Sequence, residues 1–275
     1  MTPQVFEKLS GAGNTFALAS AEAWETQNMK TDDLTRLVRK ICSPTLGISA
    51  DGVLFLKKGR GPEEFIWQFF NADGSTAEMC GNAARCAAHY ILSQPGSPRS
   101  IELVFQTGAG EVRVTQRGEF IYAAQMTRAQ IFSPRKSVQV AEGTFLGAWI
   151  DSGVPHFVID RTGAPELSLK TCRELRTHKD FGPSGANITV LRRRPEKLEA
   201  VTYERGVENY TLACGTGAVA AALSVDQAGS SSTIKVEMPG GVLSVELSGD
   251  RPILVGPATK LGTYEPSKEF FDAKI

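Results

Sequence analysis

Two segments place a cysteine, a glycine and a small polar residue at the head of an alanine-rich stretch. They are Glu78-Met79-Cys80-Gly81-Asn82-Ala83-Ala84-Arg85 and Leu212-Ala213-Cys214-Gly215-Thr216-Gly217-Ala218-Val219. Both stretches read as helices. A cysteine at a helix start faces backbone N–H groups that have no intrahelical acceptor, together with the positive end of the helix dipole, and both favour the thiolate. One such thiol in each half of the chain predicts a catalyst with two matched thiol bases. That arrangement removes a proton from one face of a carbon and returns one to the other. The two helix starts also offer N–H groups to a substrate carboxylate as charge builds on it.

A cysteine near a helix start is also a small apolar residue that packs well, and the repeat of the whole context is what favours chemistry. Cys86, six residues after Cys80 and inside the helix, reads as packing, as do Cys42 and Cys172. His156, after Val154-Pro155, is placed to orient a base or a substrate group; His89 and His178 are weaker candidates. Glu204-Arg205 reads either as a surface ion pair or as a substrate clamp. In a clamp, Arg205 grips a carboxylate in bidentate fashion and Glu204 accepts an ammonium hydrogen. The sequence has no Cys-x-x-Cys or His-x-x-x-His pair, so no metal site is expected. Gly11-Ala12-Gly13 does not continue into a dinucleotide fingerprint, and no distinctive pyridoxal phosphate site is visible. No cofactor is expected.

The elements that carry these residues recur in order. Strands are expected at Val5–Lys8 and Thr15–Ala19 around a glycine turn, a helix at Asp32–Cys42, and strands at Val53–Leu56 and Phe65–Phe70. A turn at 71–75 leads into a helix at Ala77–Leu92 with Cys80 in its first turn, and strands follow at Ile101–Gln106, Glu111–Thr115 and Phe120–Met126. The second half gives strands at Gly147–Ile150 and His156–Ile159 and a short helix at Thr171–Thr177. Strands at Ile188–Leu191 and Ala200–Tyr203 precede a helix from about Cys214 to Ala228, then strands at Ile234–Met238 and Val242–Leu247. Strands followed by one long helix, twice over at a spacing of about 134 residues, indicate two α+β halves of similar topology. Ser133-Pro134-Arg135 interrupts the pattern and suggests a boundary near 127–135.

A length of 275 residues suits two domains. Thirty basic and thirty acidic residues cancel, which gives no sign of a nucleic-acid or anionic-membrane partner. No apolar run approaches the roughly 18 residues of a membrane span, and the first residues do not read as a signal peptide. Five cysteines do not form a disulfide framework, so a reduced, cytoplasmic enzyme acting on a small molecule is expected. Nothing in the sequence sets the oligomeric state; a homodimer is one arrangement it allows.

Taken in order, these residues resemble the diaminopimelate epimerase family. Phe6-Glu7-Lys8-Leu9-Ser10-Gly11-Ala12-Gly13-Asn14 is similar to its opening segment. Phe70-Asn71-Ala72-Asp73-Gly74-Ser75 and Cys80-Gly81-Asn82-Ala83-Ala84-Arg85-Cys86 are similar to its first catalytic segment. Pro155-His156, Gly185-Ala186-Asn187, Glu204-Arg205-Gly206, Ala213-Cys214-Gly215-Thr216-Gly217 and Pro239-Gly240-Gly241 follow. The resemblance implies an α+β fold of two similar domains, each a mostly antiparallel sheet rolled around a central helix, with the active site in the cleft between them. It implies an N-terminal lobe of residues 1–128 rejoined by 262–275, and a C-terminal lobe of 129–261. It implies epimerisation of LL-2,6-diaminopimelate without a cofactor, with Cys80 and Cys214 as the acid/base pair. His156 and Glu204 would assist near the reacting ammonium group. Asn14, Asn71, Asn187, Glu204 and Arg205 would hold the distal end of the substrate, and Gly81, Asn82, Gly215 and Thr216 its reacting carboxylate.

The chain departs from the family pattern at several points. Ser10 and Thr15 stand where a histidine and an aspartate are usual, and Gly52 where some members carry glutamine. Val154 replaces the asparagine of Gly-Asn-Pro-His, and one residue is added between Glu204 and Cys214. Losing an amide ligand at a buried polar end costs about 1–3 kcal/mol, so a looser distal pocket is expected. Proline and hydroxyproline racemases also use two cysteines, but their substrate has no distal amino-acid group for Arg205 and three asparagines to hold. A thiol redox or binding protein would need no carboxylate donors.

Overall fold

The computed structural model describes residues 5–226 and 233–272. The chain forms two compact units, one of residues up to Ala124 and from Pro257 onward, the other of Gln125–Gly256. The first begins with β1 (Phe6–Gly11), β2 (Asn14–Ser20), α1 (Thr31–Cys42), β3 (Gly52–Lys58) and β4 (Glu64–Asn71). It continues through α2 (Gly81–Leu92), β5 (Glu102–Thr107), β6 (Gly110–Gln116) and β7 (Ile121–Gln125). The second begins with β8 (Gln130–Val140), β9 (Gly143–Asp151), β10 (Pro155–Asp160), α3 (Leu169–Arg176), β11 (Asn187–Arg193) and β12 (Leu198–Glu204). It continues through β13 (Asn209–Thr211), α4 (Gly215–Val225), β14 (Thr233–Met238), β15 (Gly241–Glu246) and β16 (Ile253–Pro257). Then β17 (Thr259–Tyr264) and α5 (Lys268–Asp272) complete the first unit.

The two units share one wiring plan. In the first, β17 pairs with β1, β1 with β2, β3 with β4, β5 with β6 and β6 with β7, all antiparallel. The helix-spanned steps, β2 to β3 over α1 and β4 to β5 over α2, are parallel. In the second, β8 takes the place of β17 beside β9, and β9–β10, β11–β12, β14–β15 and β15–β16 are antiparallel. The parallel steps are again the two that cross over a helix, β10 to β11 over α3 and β12 to β14 over α4, as strand geometry requires. Each sheet is therefore mostly antiparallel.

The second helix of each unit is its axis. Along α2, Gly81 to His89 and Ile91 are all buried. Its alanines and Cys86 share one core with Leu9, Phe16, Leu54, Phe69, Phe105, Val114, Tyr122 and Ala258, residues drawn from strands all around it. A helix buried on every side belongs in an interior, and alanine lets the surrounding strands approach closely. α4 repeats this with Gly215, Gly217, Ala218, Val219, Ala220, Ala221 and Ala222 buried. α1 and α3 cover the outer sheet faces through Leu34, Val38 and Ile41, and through Cys172 and Leu175.

Three details differ from the sequence-based expectations. Residues 76–79 are not helical: Thr76 bridges to Phe70, and the Ala77 N–H donates to the Phe69 carbonyl at 2.9 Å. α2 therefore starts at Gly81, and Cys80 is its N-cap with extended φ/ψ of −148°/124°. Ser133-Pro134-Arg135 is not a boundary but lies inside β8, where two register shifts absorb it. Among the described residues, β8 pairs here with β9, and a proline without an N–H is tolerated at such a bulged position. The chain also returns to the first unit at Pro257 rather than 262, because β17 pairs with β1 from Thr259 onward. The expected helix end at Ala228 lies outside the described residues. Among those residues no helix is long and apolar enough to cross a membrane.

Candidate active site

In the first unit, β1 and β2 are joined by Ala12 and Gly13, with φ of 59° and 93°. Two consecutive positive φ values define the tight hairpin turn that matches strand twist. Gly11 lies so close to α2 that a Cβ there would meet the Asn82 carbonyl oxygen at 2.9 Å and Cys86 Sγ at 3.2 Å. This closeness brings Asn14 to the head of α2. Asn14 Nδ2 donates to Asp51 Oδ2 at 3.1 Å, and the same oxygen accepts from the Thr15 N–H at 2.7 Å and the Thr15 hydroxyl at 2.9 Å. Asn82 Nδ2 donates to Asn14 Oδ1 at 3.5 Å, and Arg85 Nη2 donates to Asn82 Oδ1 at 2.9 Å. Asn71, at the end of β4, donates to Ser75 Oγ at 3.0 Å.

Arg85 is fully buried and also donates to the carbonyls of Gly81 and Pro257. Burial pushes its guanidinium down to about 10, while the neighbouring Cys86 and Cys80 sulfurs act in the opposite direction. It is a fixed cation one helical turn from the Cys80 N-cap. Burial pushes the Cys86 and Cys42 thiols up to about 12, and raises Cys172 as well. All three stay protonated, as packing residues should. Cys80 and Cys214 differ from them in occupying N-caps.

The second unit builds its thiol site on α4. Cys214 Sγ accepts from the Gly217 N–H at 3.4 Å and lies 3.4 Å from Thr216 Oγ1. Thr216 Oγ1 is 3.0 Å from His156 Nε2, and the other ring nitrogen, Nδ1, is 2.8 Å from Thr189 Oγ1. Thr189 Oγ1 is in turn 3.0 Å from Thr202 Oγ1. His156, Thr189 and Thr202 are all fully buried. Burial pushes His156 down to about 3, helped by the Arg205 charge, so the imidazole is neutral. Asn187 joins the group through Nδ2, 3.4 Å from His156 Nε2, while its Oδ1 accepts the Arg205 N–H at 2.8 Å.

Glu204 ends β12, and Arg205 begins the turn that follows it. Glu204 Oε1 accepts from the Thr211 hydroxyl, and Arg205 Nη1 donates to the Ser184 carbonyl at 3.4 Å, leaving its side chain exposed. Residues 205–208 form the turn into β13, closed by the Glu208 N–H on the Glu204 carbonyl at 2.8 Å, with Glu208 at φ 54°. Of the residues singled out in the sequence, Asn14, Asn82 and Gly81 gather at the Cys80 helix start. His156, Asn187, Gly215 and Thr216 gather at Cys214. Thr189, Thr202, Arg85 and Asp51 were not singled out. A charged residue inside an alanine-rich helix marks Arg85 in hindsight, whereas threonines in strands carry no such mark.

Gly217 is the tightest point of this site. A Cβ there would fall 2.3 Å from Thr202 Oγ1 and 3.3 Å from Cys214 Sγ. Gly217→Ala is expected to push Thr202 off its partner and displace the thiol. Activity should fall at least about tenfold, with about 1–3 kcal/mol of overpacking strain. Steady-state kinetics and urea unfolding of this one variant check both numbers, and wild-type kinetics would contradict the packing described.

The fold and site describe a duplicated α+β protein with a thiol at the head of each central helix. The diaminopimelate epimerase family model matches residues 6–132 and 148–261. The chain is 35% identical over 279 residues to the diaminopimelate epimerase of Hydrogenobaculum sp., covering 96% of this chain and 99% of that protein. It is 33% identical over 289 residues to that of Methanocella arvoryzae, covering 98% and 99%. Among solved structures, the Bacillus anthracis phenazine biosynthesis protein of the PhzF family superposes with a TM-score of 0.70 at 11% identity, covering 97% of this chain and 100% of that one. A hydroxyproline epimerase from Agrobacterium vitis gives 0.68 at 14% identity, covering 94% and 91%. At such identities these two structures speak for the fold alone. The chain belongs to the diaminopimelate epimerase family. It is an isomerase that epimerises an amino acid.

Proposed function

We propose that the protein interconverts LL-2,6-diaminopimelate and the meso isomer without a cofactor, supplying lysine and peptidoglycan-precursor synthesis in the reducing cytoplasm. The observation that carries this reading is the pair of N-cap cysteines, Cys80 on α2 and Cys214 on α4, one on the central helix of each unit. In each turnover one sulfur, as thiolate, takes the α-proton, and the other, as thiol, delivers a proton to the opposite face. The S–H bond formed on one cysteine balances the one broken on the other. The carbanion is stabilised by N–H donors from Gly81, Asn82, Gly215 and Thr216 on the substrate carboxylate, worth several kcal/mol in a site shielded from water. Glu204 receives the ammonium group near the reacting centre with His156 beside it. Asn14, Asn71, Asn187 and Arg205 hold the distal amino-acid end.

Two departures support a looser distal end. A Cβ on Gly52 would meet the Phe70 carbonyl oxygen at 2.7 Å and the Phe69 ring at 2.9 Å, so no side chain reaches toward a substrate from that position. Val154 brings no amide. Incubation in D₂O with LL-diaminopimelate, meso-diaminopimelate, proline, glutamate and aspartate tests the proposal. Deuterium should enter the α-carbon with inversion for the diaminopimelate isomers. Exchange with proline alone, or no exchange at all, would overturn it.

A further inference from the structure

The polar chain behind Cys214 has a direction that its own chemistry sets. Asn187 Oδ1 accepts the Arg205 N–H at 2.8 Å, which fixes the amide and turns Nδ2 toward His156 Nε2 at 3.4 Å. An amide nitrogen can only donate, and a neutral imidazole carries one N–H. Nε2 is therefore the acceptor and Nδ1 holds the proton. Nδ1–H donates to Thr189 Oγ1 at 2.8 Å, and Thr202 Oγ1, 3.0 Å from Thr189 Oγ1, is placed to accept the Thr189 O–H. What remains is Thr216, whose hydroxyl lies 3.0 Å from Nε2 and 3.4 Å from Cys214 Sγ.

We infer that the Thr216 hydroxyl is a rotor that serves both protonation states of Cys214, and that Asn187, Thr189 and Thr202 are positioning residues that hold His156 as the Nδ1–H tautomer the rotor needs. When Cys214 is a thiol, S–H donates to Thr216 Oγ1 and the Thr216 O–H donates to Nε2. When the thiol has given up its proton, the O–H swings to the thiolate, and Nε2 keeps the Asn187 N–H as partner. Only a hydroxyl hydrogen moves; the proton transferred in chemistry is the one on sulfur, and the chain neither gains nor loses one. The heavy atoms have reason to stay in place. Ser152 Oγ donates to the Thr216 carbonyl at 2.8 Å, and Thr202 Oγ1 packs against Gly217 where no Cβ fits. A base that must finish each turnover in the opposite protonation state gains from a partner that is equally matched to both.

This inference rests on Cys214 exchanging a proton, but its test does not need turnover. The chain has three histidines, so ¹⁵N-histidine labelling gives few signals, assigned by His89→Gln and His178→Gln variants. Wild-type His156 should report a protonated Nδ1 and an unprotonated Nε2 at neutral pH. In Thr202→Val the Thr189 hydroxyl keeps Nδ1, among the described residues, as its side-chain partner and donates to it at 2.8 Å, a closer contact than the 3.4 Å approach of the Asn187 amide to Nε2, which it outweighs. The proton then moves to Nε2, which donates to Thr216 and confines the Thr216 O–H to the Cys214 sulfur. The ¹⁵N pattern of His156 should reverse while that of His178, in the same unit, stays put. Iodoacetamide should modify Cys214 roughly three- to tenfold faster, the factor one hydrogen bond represents, with Cys80 unchanged. Thr202→Ser should restore both readouts. A wild-type Nε2–H tautomer, or a Thr202→Val protein whose tautomer and Cys214 reactivity are unmoved, overturns the inference while leaving the epimerase reading intact.

Discussion

Cys80→Ala and Cys214→Ala should each abolish epimerisation, lowering kcat by at least about 10³-fold, while leaving both units folded. Positioned acid/base groups contribute roughly 10²–10⁴-fold each, and in the proposed two-thiol mechanism a missing thiol removes the route to one face of the α-carbon. The two variants should not be silent in D₂O. A remaining thiolate can still take the proton that faces it, exchange with solvent and return deuterium to the same face. Each variant should therefore show slow isotope incorporation with configuration retained, and the two should differ in which isomer they label. The folding side of the prediction follows from what the sulfurs touch. Cys80 is half-buried, and Cys214 Sγ meets the Gly217 N–H and the Thr216 hydroxyl, both weak contacts at 3.4 Å. Losing such a contact costs about 0.5–1.5 kcal/mol, a small part of a domain's stability. Chiral analysis of the diaminopimelate isomers with mass detection of deuterium reads both arms. A Cys214→Ala protein that inverts the α-carbon within tenfold of the native rate would assign the second base elsewhere.

The helix starts carrying these thiols were legible because two signals coincide in them. A Cys-Gly-polar step marks an N-cap, and an alanine run marks a helix with strands close on every side. The error of about one turn at the start of α2 shows the limit of that reading. Ala77, Glu78 and Met79 are good helix formers, yet Thr76 and Ala77 are held by the edge of β4. Local propensity yields there to a strand that the same chain supplies. Ser133-Pro134-Arg135 misled in the opposite sense, since a proline usually ends a pattern but is accommodated on a bulged strand.

Three strands recovered only in the structure share a cause. β13 is three residues long, β16 buries only alternate residues and β17 is exposed from Thr259 to Thr263, and all three are strands because a partner is already in place. β17 in particular is specified by β1, more than two hundred residues away in the chain. The site shows the same division. Residues that chemistry requires by type, such as cysteine, histidine and the Glu-Arg pair, stand out in a sequence. Thr189 and Thr202 do not, because a strand threonine is ordinary until a buried imidazole is found beside it. Arg85 belongs between the two cases: its type is conspicuous in an alanine-rich helix, but its partners, the Asn82 amide and two carbonyls, are a matter of folding.

Acid should unfold the second unit over a range set by His156. Burial holds its folded-state value at about 3, against 6.5 for an ordinary imidazole. The unfolded chain therefore binds a proton below about pH 6.5 that the native protein refuses, and the unfolded state gains with each step downward. Stability is complete above that pH and is lost as the pH falls toward 3, by about 1.4 kcal/mol per unit for one group. From pH 6.5 to about 4 the loss from His156 alone is about 3 kcal/mol. His89, also lowered chiefly by burial, works in the same direction. Asp73, lowered by hydrogen bonds from Ser75, and Asp160, where burial raises the carboxyl but hydrogen bonds from Thr162 and Arg193 outweigh it, give up their share at lower pH still. Urea unfolding of the native protein and of His156→Gln between pH 7 and 4 separates these contributions, since both proteins keep His89 and the carboxylates. The variant should start less stable, having lost hydrogen bonds to Thr189 and Thr216, but fall with pH more shallowly, by about one proton's slope. Parallel slopes would mean that His156 takes up a proton in the native state, and a neutral imidazole could then no longer stand between Thr189 and Thr216.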